Sequence, residues 1–100
     1  MSTTLNDYAL NADVRCSVVF VNNAGAEADP DTVTFLLHDS EGEVTELIYL
    51  TDVELVRTAA GRYYVVVDAN KPGRWTYRFE STGAVKAADE KTFTVRRSVF

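Results

Sequence analysis

The sequence predicts an all-β fold, an immunoglobulin-like sandwich of about seven antiparallel strands in two sheets. Three observations predict it. Apolar residues recur with a period of two in short stretches, and no stretch of ten or more residues keeps a helical period. Turn signals separate the stretches, among them Asn22-Asn-Ala-Gly25, Asp39-Ser-Glu-Gly42 and Pro72-Gly73. The large side chains concentrate in one place: Gly61 to Phe79 holds the only Trp and three of the five Tyr. A barrel is the alternative architecture.

Taken in order, residues 1–12 are polar and lack a clean period. They read as an arm or an edge strand, with Leu5, Tyr8 and Leu10 as its apolar anchors. Residues 13–97 are the domain. Arg15 to Val21 is the first clear strand, with Cys16, Val18 and Phe20 on one face. Pro30 interrupts the next connection, because it offers no ladder donor. Thr32 to His38 turns Val33, Phe35 and Leu37 inward. Glu43 to Leu50 is less regular, and its Leu47-Ile48-Tyr49-Leu50 run reads as a bulge or as burial on both faces. Asp52 to Arg57 is a short strand through Val53, Leu55 or Val56.

Arg62 to Asp68 and Arg74 to Glu80 come next, read as one hairpin across Pro72-Gly73. Tyr63, Val65 and Val67 share one face of the first, and Trp75, Tyr77 and Phe79 share one face of the second. Ser81 to Asp89 is a loop, with one helical turn conceivable from Val85 to Glu90. Lys91 to Arg96 closes the set, with Phe93 and Val95 inward. Residues 98–100 are a tail that ends on Val99 and Phe100.

One hundred residues make one domain with a single core. The chain begins with Met and shows no tag, which reads as a one-domain gene product. The N-terminus has neither the basic region nor the apolar run of a signal peptide. The longest apolar run, Val18-Val-Phe-Val21, is far too short for a membrane helix. The single cysteine, Cys16, excludes an internal disulfide, and its phase with Val14, Val18 and Phe20 buries it.

The net charge of −5 speaks against nucleic acid as a partner. Residues 1–56 hold 11 acids and one base, whereas residues 57–100 hold four acids and nine bases. A sandwich interleaves the two halves, so this asymmetry predicts charge pairing between strands. A dipolar surface that pairs copies head to tail is the alternative.

Catalysis needs a base near neutral pH, a metal or an activated nucleophile. His38, the only histidine, falls outward at a strand end, and nothing brings it beside Cys16 or a serine. No phosphate loop and no zinc spacing is present. Asp29, Asp31, Asp39, Glu41 and Glu43 flank two connections and could in principle gather around calcium. Acids in turns more often bond their own backbone. Tyr49, Tyr64 and Tyr77 could form a glycan platform if two of them face solvent. The residues therefore predict no enzyme, no metal and no cofactor.

The blocks Gly61-x-Tyr63, Val65-x-Val67-Asp68, Pro72-Gly73-x-Trp75-x-Tyr77-Arg78, Ser81-Thr-Gly83, Ala87-Ala-x-Glu90 and Phe93-x-Val95 form a pattern. Upstream stand Asn23-Ala-Gly25, Asp29-Pro-Asp-Thr-Val33 and Asp39-Ser-Glu-Gly42. Together they resemble the small Ig-like structural proteins of tailed bacteriophages and prophages, over roughly residues 13–97. The resemblance implies a non-enzymatic structural or decoration component of the virion, at the capsid surface, the head–tail connection or the tail. It implies assembly in the host bacterial cytoplasm. Its partners would be other virion proteins or copies of itself, with no membrane involved. Leu5, Tyr8, Leu10, Val99 and Phe100 are the expected docking residues. The alternative is a carbohydrate or host-surface adhesion module.

Overall fold

The computed structural model describes residues 7–83 and 85–97. It holds eight strands: β1 (Asp7–Ala9), β2 (Asp13–Val19), β3 (Thr32–His38), β4 (Val44–Ile48), β5 (Val56–Ala59), β6 (Arg62–Asp68), β7 (Gly73–Thr82) and β8 (Ala88–Arg96). They form a five-stranded sheet, β1-β8-β7-β3-β4, and a three-stranded sheet, β2-β6-β5. The architecture is the immunoglobulin-like two-sheet sandwich. Among the described residues, β1 and β8 are the only strands that pair parallel, with Asp7 opposite Thr94 and Ala9 opposite Arg96.

The period of two explains the core directly. In β2, buried Val14, Cys16 and Val18 alternate with exposed Arg15, Ser17 and Val19. β6 and β7 do the same through Tyr63, Val65 and Val67, and through Trp75, Tyr77, Phe79 and Ser81. Of the expected core, Leu37 alone is only partly buried, packed against the rest. Leu55, Ala69 and Val85 are additional buried members.

β6 and β7 correct the expected hairpin. They lie in different sheets and do not pair. The connection at residues 69–72 crosses the sandwich. Buried Ala69 anchors it through backbone bonds: Asn11 N–H donates to Ala69 O (2.7 Å), and Ala69 N–H to Ala12 O (3.0 Å). Pro72 then stiffens the path into β7. The two inward faces still belong to one core cluster, in which the rings of β7 pack against Phe35 of β3 and Phe93 of β8 in their own sheet. Trp75 stacks on Phe93 with centroids 5.7 Å apart. Its indole N–H donates to Lys71 O at 3.1 Å, so the polar end of this 3% exposed side chain is satisfied.

Other boundaries also differ from expectation. The arm contributes an edge strand: Tyr8 meets Phe93 edge-on at 5.6 Å, and Leu10 packs against the core. The irregular third stretch ends its strand at Ile48, and Leu50 stands in a turn with φ 74°. The short fourth strand falls at Val56–Ala59, so Val53 is outside it. β8 begins at Ala88, which removes the conceivable helical turn, and no helix occurs among the described residues. Ser81 closes the β7–β8 loop: its buried hydroxyl donates to Val85 O (2.7 Å) and accepts from Ala87 N–H (2.9 Å).

Trp75→Ala should cost about 3–5 kcal/mol in a urea unfolding series, as for other large buried aromatics. A loss under about 1 kcal/mol would contradict this packing. Deleting residues 1–10 removes β1 and the Tyr8–Phe93 contact. The melting temperature should fall by at least about 4 °C, and an unchanged midpoint would show that β1 is dispensable to the fold.

Candidate functional site

Of the acids singled out as possible metal ligands, Asp29, Asp39 and Glu41 are engaged within the fold. Asp29 is the most heavily engaged. Its Oδ1 accepts from Gly61 N–H (2.8 Å), from the Tyr63 hydroxyl (2.9 Å) and from Arg57 Nε (3.0 Å). Its Oδ2 accepts from Arg57 Nη2 at 2.8 Å, completing a bidentate fork. The local backbone makes this possible. Gly61 has φ +76°, and an added Cβ would come within 2.5 Å of Phe20 O and 2.9 Å of Ala28 N. Only glycine lets the β5–β6 turn press so closely against the 20–29 connection. The Arg57 guanidinium, then the Gly61 and Tyr63 bonds, hold the Asp29 carboxyl well below the usual carboxylate range. Burial, reinforced by Asp29, pushes the Tyr63 hydroxyl up to about 12.

Asp39 is a turn residue of the ordinary kind. Its Oδ1 accepts from Glu41 N–H (2.8 Å) and Glu43 N–H (2.9 Å), and its Oδ2 from Lys71 Nζ (2.9 Å). Lys71 also reaches Glu41 at 3.3 Å. Glu27 forks onto Arg62 at 2.6 and 2.7 Å. These contacts answer the charge asymmetry: Asp29–Arg57, Glu27–Arg62 and Lys71 with Asp39 and Glu41 each join an acid of the first half to a base of the second. No group of three or more potential metal-binding side chains occurs among the described residues.

The remaining chemical candidates stay apart. His38 is exposed at the end of β3. Cys16 is fully buried, and burial pushes its thiol up to about 12. Of the three tyrosines considered for glycans, Tyr77 is in the core and Tyr49 packs edge-on against Tyr63 at 5.1 Å. Tyr64 alone faces outward, beneath the Arg15 guanidinium at 3.8 Å from its ring centroid. Of the expected docking residues, Tyr8 in β1 and Leu10 just after it are partly buried and packed against the core. Leu5, Val99 and Phe100 lie outside the described residues.

What sequence reasoning missed is a protruding apolar turn after β4. Leu50 is 86% exposed and Val53 89%, beside Ile48 at 40%. The turn is held rather than loose. Asp52 Oδ2 accepts from Ile48 N–H (2.8 Å), while Thr51 and Asp52 N–H return to Ile48 O at 3.0 and 2.8 Å. The Thr51-Asp52 pair was the available signal, because a side chain that caps its own backbone ends a strand.

No protein-family model and no curated protein matches this chain. Among solved structures, the filamin domain of Lin-41 is similar, with a TM-score of 0.70 at 12% identity over 97% of this chain and 89% of that one. At that identity the likeness shows the fold alone, an immunoglobulin-like sandwich.

Asp29 ionises more readily folded than unfolded, so its contribution is present above about pH 4 and is lost as pH falls toward its lowered folded value. Glu27 and Asp39 are lowered too and act in the same direction. The melting temperature should be level near neutrality and fall steadily below about pH 4. Asp29→Asn should melt lower than wild type at pH 7 and show a shallower acid decline. Parallel curves for the two proteins would mean that Asp29 does not contribute to the pH dependence.

Proposed function

We propose that this chain is a non-enzymatic docking module, a structural or decoration component of a tailed-phage virion. The virion assignment rests on the resemblance of residues 13–97 to the phage Ig-like proteins. The observation that supports docking is Leu50. Among the described residues it is the second most exposed large apolar side chain, after Val53, and it occupies a left-handed backbone conformation that bulky side chains avoid. Both properties work against stability. A residue that costs the fold and gains nothing inside it has its use outside it. With Ile48 and Val53 it forms a fixed apolar tip suited to seating in a partner's pocket. Strand edges add a second means of attachment. The adhesion reading has only Tyr64 to draw on.

Leu50→Asn tests this, since asparagine tolerates the left-handed region. The variant should gain about 1 kcal/mol of stability and lose co-sedimentation with phage particles. Full incorporation of the variant would remove the turn from the docking surface. Absence of the wild-type protein from purified particles would overturn the virion reading.

A further inference from the structure

The two sheets leave a slot on the side away from β1. β4 pairs with β3 from His38↔Val44 to Thr34↔Ile48, and no other strand among the described residues pairs with it. On the opposite wall, β5 pairs with β6 only between Arg62 and Tyr64. Residues 65–68 of β6 therefore have β2 on one side and no described strand on the other. Both uncovered edges line one open groove of about 300 Å³. Its floor is apolar, built from Leu37, Leu47, Val67 and Trp75.

Natural edge strands are usually defended by proline, lysine, a bulge or extreme shortness. β4 reads Val-Thr-Glu-Leu-Ile, and its register with β3 is unbroken. None of those defences is present, and the one charge on the edge is Glu46. Apart from Lys71, every charged side chain lining the slot is an acid. Glu43, Glu54 and Asp68 rim it, and Glu46 stands on the outer face of β4. The one cation lining it, Lys71, is occupied by Asp39 and Glu41.

We infer that this slot accepts an extended, basic segment of a partner protein as a sixth strand on β4. This rests on the docking reading above and names its partner chemistry. The incoming backbone satisfies the outward N–H and C=O groups of Val44 and Glu46, since those of Ile48 are already bonded within the turn that follows. Alternate side chains of the segment enter the groove over Leu47 and Trp75. Lysines or arginines between them meet Glu46 and the acidic rim, which rejects acidic segments.

The probe is a capped nine-residue peptide, Lys-Val-Lys-Val-Thr-Val-Lys-Val-Lys, compared with its counterpart carrying Glu for Lys and with a form N-methylated at alternate residues. Binding to the folded chain is read by amide chemical shifts and hydrogen exchange. The lysine peptide should bind at least about tenfold tighter than the glutamate peptide and should weaken as salt rises from 0.1 to 1 M. It should slow exchange at Val44 and Glu46, whose N–H groups point away from β3, and N-methylation should abolish binding. Glu43→Lys with Glu46→Lys and Glu54→Lys should reverse the preference between peptides. If that triple variant does not fold, the salt series and the N-methylated peptide decide the matter on the wild-type chain.

Equal affinity for both peptides overturns the inference, as does binding that protects amides elsewhere or no binding at millimolar peptide. Self-association that protects β4 without peptide makes the occupant a second copy and also overturns it. Particles that still carry the folded triple variant would exclude this slot while leaving docking intact. Particles that lack the wild-type protein would overturn the virion reading, and the peptide series would still decide the slot.

Discussion

Asp29 sits where otherwise separate pieces of chain meet. Through its two oxygens it holds the turn before β6, the edge strand β5 and the first inward tyrosine of β6. The connection after β2 is thereby pinned under the β5–β6 hairpin. That placement sets the direction of the chain beyond it: Pro30 and Asp31 lead straight into β3, which must start in the other sheet. Because Gly61 lies against the Phe20 and Ala28 backbone, the contact tolerates little slack. The carboxylate is partly solvated, so its weight lies in positioning several partners at once rather than in any one strong pair.

The same logic explains the uneven charge along the chain. A sandwich of this topology brings early connections against late strands, so acids near residues 27–41 find bases at 57–71. The sequence segregates the signs, and the fold recombines them. Among the described residues, no ion pair reaches Glu43, Glu46, Glu54 or Asp68 around the β4 edge, and the selectivity inferred for the groove rests on that charge.

Much of the fold was legible because one face of each strand is buried, and burial imposes a period of two that chemistry displays openly. Val14, Cys16 and Val18 in β2, or Trp75, Tyr77 and Phe79 in β7, could have no other phase. Sheet membership was less legible. Pro72-Gly73 has the composition of a hairpin turn, yet whether a chain turns back or crosses over depends on contacts from afar, here Asn11 and Ala12 holding Ala69. The candidate site was harder still. Apolar residues suggest burial, so Leu50 and Val53 read as strand until Asp52 is seen to cap Ile48. An undefended edge such as β4 has little side-chain signature, since it consists of backbone groups that another strand fails to cover.

β1 and β8 run parallel, with Asp7 to Ala9 paired against Thr94 to Arg96. The chain enters the first from one end of the ladder and leaves the second from the other. Tension along the polypeptide would therefore slide these strands past each other, loading their hydrogen bonds together rather than peeling them one by one. In such a geometry all three residue pairs share the load at once. It would let the domain bear tension along its chain without first opening its core.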